Sequence, residues 1–284
     1  MKVFMVAGEA SGDRLGAALI KGLCLNVPEI EFQGVAGPEM QSHGINSLFD
    51  ISELSVMGVS EILPKYRGLK RRLSQTVAAV LKFKPDVLIT IDSPDFCLRV
   101  AEAVRSADPS VRTVHYVAPT VWAWRPNRAK KMAGFIDHVL ALFPFEPTYM
   151  KAEGMDCDFV GHPIAAMPKV SSKQVTEFQE LIGLDPNRPA LVILPGSRHS
   201  EIQRLLPVFC NTLSQLDFAN LQLIFPTLPH LAALVRDHIQ ILSQDCFVVT
   251  GEGLSANEAA EQRLVAFSAA KAALAASGTV SLEL

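Results

Sequence analysis

The chain has 284 residues, with 26 Lys plus Arg against 29 Asp plus Glu and a formal net charge of −3. That balance excludes a strongly basic nucleic-acid binder, though not a local basic patch. Apolar residues make up 49% and charged residues 19%, enough to exclude disorder for most of the chain, because buried side chains offset the entropy of ordering.

At roughly 150 residues per domain the length suggests two domains. Mean hydropathy is high, at +0.24, yet no apolar stretch reaches the ~18 residues of a membrane span. A soluble or membrane-surface protein is expected. The cysteines at 24, 97, 157, 210 and 246 form no CxxC pair. They are expected to be buried, reduced thiols rather than metal ligands.

VFMVA at 3–7 predicts the first strand. It ends too early for a secretory signal and leads into Gly8-Glu9-Ala10-Ser11-Gly12-Asp13. Glycines there allow a tight turn and leave backbone N–H groups at a helix start for an anion or a sugar hydroxyl. The ordinary alternative is a helix capped by Ser11 or Asp13. The string is not GxGxxG, so a dinucleotide reading is weak. Between 65 and 72, Lys65, Arg67, Lys70, Arg71 and Arg72 are interleaved with Tyr66 and Leu69. Such a strip either lies on an anionic membrane surface or is a solvated helix face.

VLITI at 87–91 predicts a strand that ends in Asp92-Ser93-Pro94-Asp95. Ligands of open α/β sheets bind beyond the carboxyl ends of strands, so a carboxylate here either takes a proton from a substrate hydroxyl or caps the next helix. TVHYV at 113–117 and VLAL at 139–142 predict further strands, and both tryptophans follow the first of them, in Trp122-Ala123-Trp124-Arg125. That group suits stacking on sugars or bases, or a core cluster. Polar, turn-rich sequence at about 165–188 marks a boundary, giving an N-terminal domain at 1–165, a linker at 166–188 and a second domain at 189–284.

Strands are predicted again at 191–194, 221–225 and 246–250. Unbroken apolar runs of this kind, separated by helical stretches, read as an α/β chain with parallel strands covered on both faces. After 191–194 comes Pro195-Gly196-Ser197-Arg198, where backbone N–H, hydroxyl, helix dipole and guanidinium converge as an anion site, or else form a capped turn. The run 272–276 reads as a strand end, Ser277-Gly278-Thr279 as a turn, and Val280 onward, with Glu283, as a helix start. A chain ending there looks interrupted inside a βα unit.

These strings together closely resemble the lipid-A-disaccharide synthase family. The resemblance rests on GEASGDRLGA at 8–17, GVAGPEM at 34–40, ELSVMGVSEILP at 53–64 and IDSPDF at 91–96. It continues through HYVAPTVWAWRPNR at 115–128, FPFE at 143–146, FVGHP at 159–163, LPGSR at 194–198 and SGTVSLEL at 277–284. It implies two Rossmann-like domains of GT-B type, the second incomplete, and an enzyme that transfers 2,3-diacylglucosamine from its UDP donor to 2,3-diacylglucosamine 1-phosphate (lipid X) with inversion.

By the same resemblance Asp92 is the general base and Asp95 orients it. Arg198, with Gly196 and Ser197, holds the diphosphate. Ser277, Gly278, Thr279 and Glu283 serve the nucleotide, Glu283 the ribose, and Glu9, Ser11, Gly12 and Asp13 line the cleft. No metal or cofactor is implied. Substrates carrying acyl chains imply a cytoplasmic protein peripheral on the inner membrane, with Lys65, Arg67, Leu69, Arg71 and Arg72 as contacts. Family members run on past SGTxxLE, into donor-site residues and elements of a homodimer, so weak or absent activity is the expectation for this chain. Another UDP-sugar enzyme of GT-B architecture is the competing enzyme reading; a non-catalytic remnant binding acyl-sugar or membrane is the third.

Overall fold

The computed structural model describes residues 1–54, 59–166, 169–215, 220–276, 280 and 284, with backbone only at 59–66, 166 and 256–257. The chain divides into two units, Met1–Ala166 and Met167–Leu284.

In the first unit β1 (Lys2–Ala7), α1 (Ala10–Asn26), β2 (Glu31–Val35), α2 (Pro38–Gln41), α3 (Val59–Phe83), β3 (Val87–Ile91) and α4 (Pro94–Ala107) come first. They are followed by β4 (Arg112–Tyr116), α5 (Asn127–Met132), β5 (His138–Ala141), α6 (Glu146–Lys151) and β6 (Asp156–Phe159). The six strands form one parallel sheet in the order β2-β1-β3-β4-β5-β6. Alternation along β1 explains its unbroken apolar run. Val3, Met5 and Ala7 pack with α1 on one face, while Phe4 and Val6 pack with α3 and α4 on the other. A strand buried on both faces has no polar side to show. The chain leaves β1 toward β2 on one side and returns to β3 on the other. That reversal opens a crevice beyond the carboxyl ends of β1 and β3.

The second unit holds α7 (Ser172–Ile182), β7 (Ala190–Leu194), α8 (His199–Ser214), β8 (Gln222–Pro226), α9 (Ala232–Ile239), β9 (Asp245–Val249), α10 (Ala256–Ser268) and β10 (Ala272–Ala275). Its parallel sheet runs β10-β7-β8-β9. Val192 and Leu194 pack with α7 and α10, and Ile193 with α8 and α9. Its reversal lies between β7 and β10, whose ends meet where the Ala276 N–H donates to the Leu194 carbonyl (2.8 Å).

Three expectations are corrected. About half of the span expected as a linker, 166–188, is α7, capped by Ser171 and Gln174 and anchored by buried Phe178; its polar face is what made it resemble a linker. Strands β2 and β6 went unpredicted because both are edge strands. β2 carries Gly34 and β6 is four residues with three exposed, so neither shows an apolar run. Cys24 is exposed rather than buried.

Candidate active site

Asp92 sits immediately after β3, at the crevice of the first sheet. Its backbone is left-handed, with φ +52°, and so is that of Ser93, with φ +42°. Non-glycine residues adopt this conformation at a cost, and such residues gather at functional sites. The Asp92 N–H donates to the Tyr116 carbonyl (2.9 Å), which fixes the turn to β4. The Ser11 hydroxyl, from the first turn of α1, donates to Asp92 Oδ2 (3.0 Å). Gly8 lets the two turns approach, because a Cβ there would lie 2.3 Å from Ser93 Cβ. Gly12 brings α1 against β3, its Cβ position being 3.1 Å from the Ile91 carbonyl oxygen. Glu9 caps α1 with extended backbone and is half-buried at the same rim.

Asp13 is only 2% exposed. Its Oδ1 accepts from the N–H groups of Gly37 (2.9 Å) and Met40 (3.0 Å), and its Oδ2 from Glu39 (2.9 Å). The carboxylate expected to line the cleft therefore caps the start of α2 and holds it against α1. Asp95, expected to orient Asp92, pairs with Arg128 (3.1 Å) and Arg125 (3.9 Å) instead. Its place in the first turn of α4 turns it toward α5, and the orienting group on Asp92 is Ser11.

Buried polar groups support this rim. His115, fully buried on β4, has Nδ1 2.8 Å from Thr90 Oγ1, while Nε2 has no hydrogen-bond partner among the described residues. Burial first, and then the charge of Arg128, push its pKa down to about 4, so the ring is neutral at pH 7. Burial drives the Cys97 thiol well above its usual range, with Asp92 and Glu9 adding to the effect, so it is not a nucleophile. Glu146 accepts from the N–H groups of Leu142 (2.8 Å) and Phe143 (2.9 Å) and closes the FPFE turn.

In the second unit Gly196, Ser197 and Arg198 connect β7 to α8. Gly196 has φ +127°, open to glycine, and a Cβ there would lie 2.6 Å from a Glu201 carboxylate oxygen. Glu201 Oε2 accepts from the Ser197 N–H (3.0 Å) and the Arg198 N–H (3.2 Å), and its Oε1 accepts from the Arg198 guanidinium (2.7 Å). The chain's own Glu201 is thus the acceptor for these donors, which is the capped turn that the sequence also allows. Ser277, Gly278, Thr279 and Glu283 lie outside the described residues, as does the side chain of Lys65.

On α3 the basic strip splits. Arg67 and Arg71 are exposed, and Lys70 between them is exposed too. Leu69 instead packs against the core with Leu73 and Val77. Arg72 donates to Glu53 and to Gln75 Oε1 (2.7 Å) and lies 4.6 Å from the Phe49 ring centroid. Leu69 and Arg72 are thus removed from the expected contact face, because the i, i+4 stripe of the helix turns them inward. Among the described residues no helix is long and apolar enough to cross a membrane.

Residues 3–284 match the sequence profile of the lipid-A-disaccharide synthetase family. The chain belongs to the lipid-A-disaccharide synthase family. It is 51% identical over 286 residues to the lipid-A-disaccharide synthase of Ruegeria pomeroyi, a match covering 100% of this chain and 71% of that protein. It is 44% identical over 285 residues to that of Rhodospirillum centenum, covering 99% and 69%.

Among solved structures it resembles a UDP-GlcNAc 2-epimerase from Rickettsia bellii (TM-score 0.65, 14% identity, covering 100% of this chain and 76% of that one). It also resembles one from Neisseria meningitidis bound to UDP-GlcNAc (TM-score 0.64, 15% identity, covering 98% and 78%). At such identities the likeness concerns the fold, two Rossmann-like units of GT-B type. The residues of this synthase-family chain that sequence reasoning missed are Glu201 and Arg128. A Glu at the third position of a helix is a capping signal; nothing local signals Arg128, which reaches Asp95 from 33 residues away.

Proposed function

We propose that the chain carries the glycosyl transfer of its family: 2,3-diacylglucosamine moves from UDP-2,3-diacylglucosamine to the 6-hydroxyl of lipid X, giving the disaccharide 1-phosphate and UDP. The observation that carries this reading is the Asp92 carboxylate, held by Ser11 in a left-handed turn at the switch point of the first sheet. Asp92 accepts the proton of the 6-hydroxyl as that oxygen attacks the anomeric carbon. The bond from the anomeric carbon to the UDP oxygen breaks, and its electron pair leaves on UDP. One in-line displacement inverts an α-linked donor.

The first unit serves as the acceptor and catalytic half, with Glu9, Ser11 and Gly12 at its rim. The second unit serves the nucleotide. Arg198, with the Gly196-Ser197 backbone, takes the diphosphate when Glu201 gives up its seat. Ser277, Gly278, Thr279 and Glu283 belong to the same half in this reading, with Glu283 on the ribose. The exposed Arg67 and Arg71 rest on the anionic inner leaflet where the acyl substrates reside.

The test is transfer from UDP-2,3-diacylglucosamine to lipid X. It is measured in this 284-residue chain and in the same chain extended with the part of the Ruegeria pomeroyi relative that it does not span. Asp92→Asn is expected to lower kcat by about 10²-fold or more. Near-normal turnover in Asp92→Asn would remove Asp92 from the role of base.

A further inference from the structure

Helices α4 and α5 flank an open pocket of about 470 Å³ beside the turn that carries Asp92, within the size range of small-ligand sites. One wall is a single face of α4, with Asp95, Leu98, Arg99 and Glu102 at helical spacing. The opposite wall brings Arg125, Arg128 and Lys131 from the WAWRPNR segment and α5. Leu98, Met132 and Phe135, all nearly or fully buried, close its floor.

Four cations thus face two carboxylates. Asp95 draws Arg128 and Arg125 together, yet its side chain is 80% exposed, so these pairs are weak in water. Lys131 pairs with Glu102 (3.3 Å), and Arg99 has no ion-pair partner among the described residues. The field of Arg128 reaches inward as far as His115. A dianionic phosphate offers guanidinium groups more acceptor oxygens and more charge than one exposed carboxylate does.

We propose that this pocket binds the phosphate monoester of an acylated sugar phosphate, the acceptor of the transfer, with Arg99 and Arg128 as its principal ligands. The inference rests on the acceptor reading given above. It places the phosphate end of the acceptor in the pocket that Pro94 and Asp95 help to line, while the hydroxyl end faces Asp92, two residues before Pro94. Arg99 and Arg128 then set the preference for a phosphorylated acceptor, and Asp92 acts on the other end of the same ring.

Direct binding tests this without turnover. Both tryptophans of the chain lie in the neighbouring segment, and Arg125 stands 5.5 Å from the Trp124 ring centroid, so tryptophan emission reports on the pocket. Lipid X and the same molecule lacking the 1-phosphate are titrated into the full 284-residue chain and into Arg99→Glu and Arg128→Gln. Wild type is expected to prefer lipid X by about tenfold or more, and each variant to reduce that preference to roughly threefold or less. Arg99→Glu keeps the test valid if Arg128→Gln unfolds, because Arg99 is exposed and makes no ion pair among the described residues.

An unchanged preference in Arg99→Glu, or none in wild type, overturns the proposal. Loss of binding to phosphatidylglycerol vesicles in the variants, with the lipid X preference intact, also overturns it and assigns the pocket to bilayer headgroups. If transfer itself is never seen while the variant-sensitive preference for lipid X persists, the pocket stands and the reaction assignment falls.

Discussion

The Ser11 hydroxyl donates to Asp92 Oδ2 at 3.0 Å, across the point where the first sheet reverses its winding. One residue comes from the start of α1 and the other from the end of β3, 81 positions apart. The bond holds the carboxylate in one orientation while the left-handed turn presents it at the strand end. Ser11→Ala is expected to lower kcat by about tenfold, the value of one charge-assisted hydrogen bond, with the KM for donor nearly unchanged. Steady-state kinetics with each substrate varied checks this; a change confined to donor KM contradicts a positioning role.

Asp13 predicts a stability effect rather than a catalytic one. Asp13→Ala leaves three N–H groups, two of them in buried surroundings, without their acceptor. The expected loss is on the order of 4 kcal/mol. Asp13→Asn keeps one acceptor oxygen and should lose about half as much. Urea unfolding of the two variants measures the difference, and equal stability with wild type rejects the assignment.

His115 sets an acid limit. Its folded pKa of about 4 lies below the ordinary value of 6.5. Between those pH values the unfolded chain takes up the proton and the folded chain does not, so stability falls as pH drops from about 6.5 to about 4. The contribution is present in full above pH 6.5 and is on the order of 3 kcal/mol. His115→Asn should flatten that part of the stability curve, and urea midpoints at several pH values between 4 and 7 would detect it. An unchanged slope would assign the acid sensitivity to other groups.

The basic strip of α3 predicts two different phenotypes. Charge reversal at the exposed Arg67 and Arg71 should weaken binding to phosphatidylglycerol vesicles by about fivefold per residue, following roughly 1 kcal/mol per base near an anionic surface. Arg72→Ala should leave vesicle binding nearly intact and lower thermal stability, because it removes the Glu53 bond and the packing on Phe49. Vesicle co-sedimentation alongside thermal melts separates the two. Equal effects of all three substitutions on vesicle binding would contradict the inward placement of Arg72.

The sequence by itself determined the α/β architecture, most of the parallel strands and the turns that carry Asp92 and Arg198. These are properties of short segments: a strand buried on both faces is apolar throughout, and a turn at its end needs Gly, Ser or Asp. The edge strands β2 and β6 escaped because partial exposure removes that pattern. Only the tertiary structure decided what each charged side chain does. Asp13 serves the start of α2, Asp95 pairs with Arg128, Arg72 with Glu53, and Glu201 fills the LPGSR seat. A carboxylate has the same chemistry whether it caps, pairs or catalyses, and its role is set by which donors the fold brings within about 3 Å. For Asp13, Asp95 and Arg72 those donors and acceptors lie 19 to 33 residues away along the chain, beyond the reach of any local pattern.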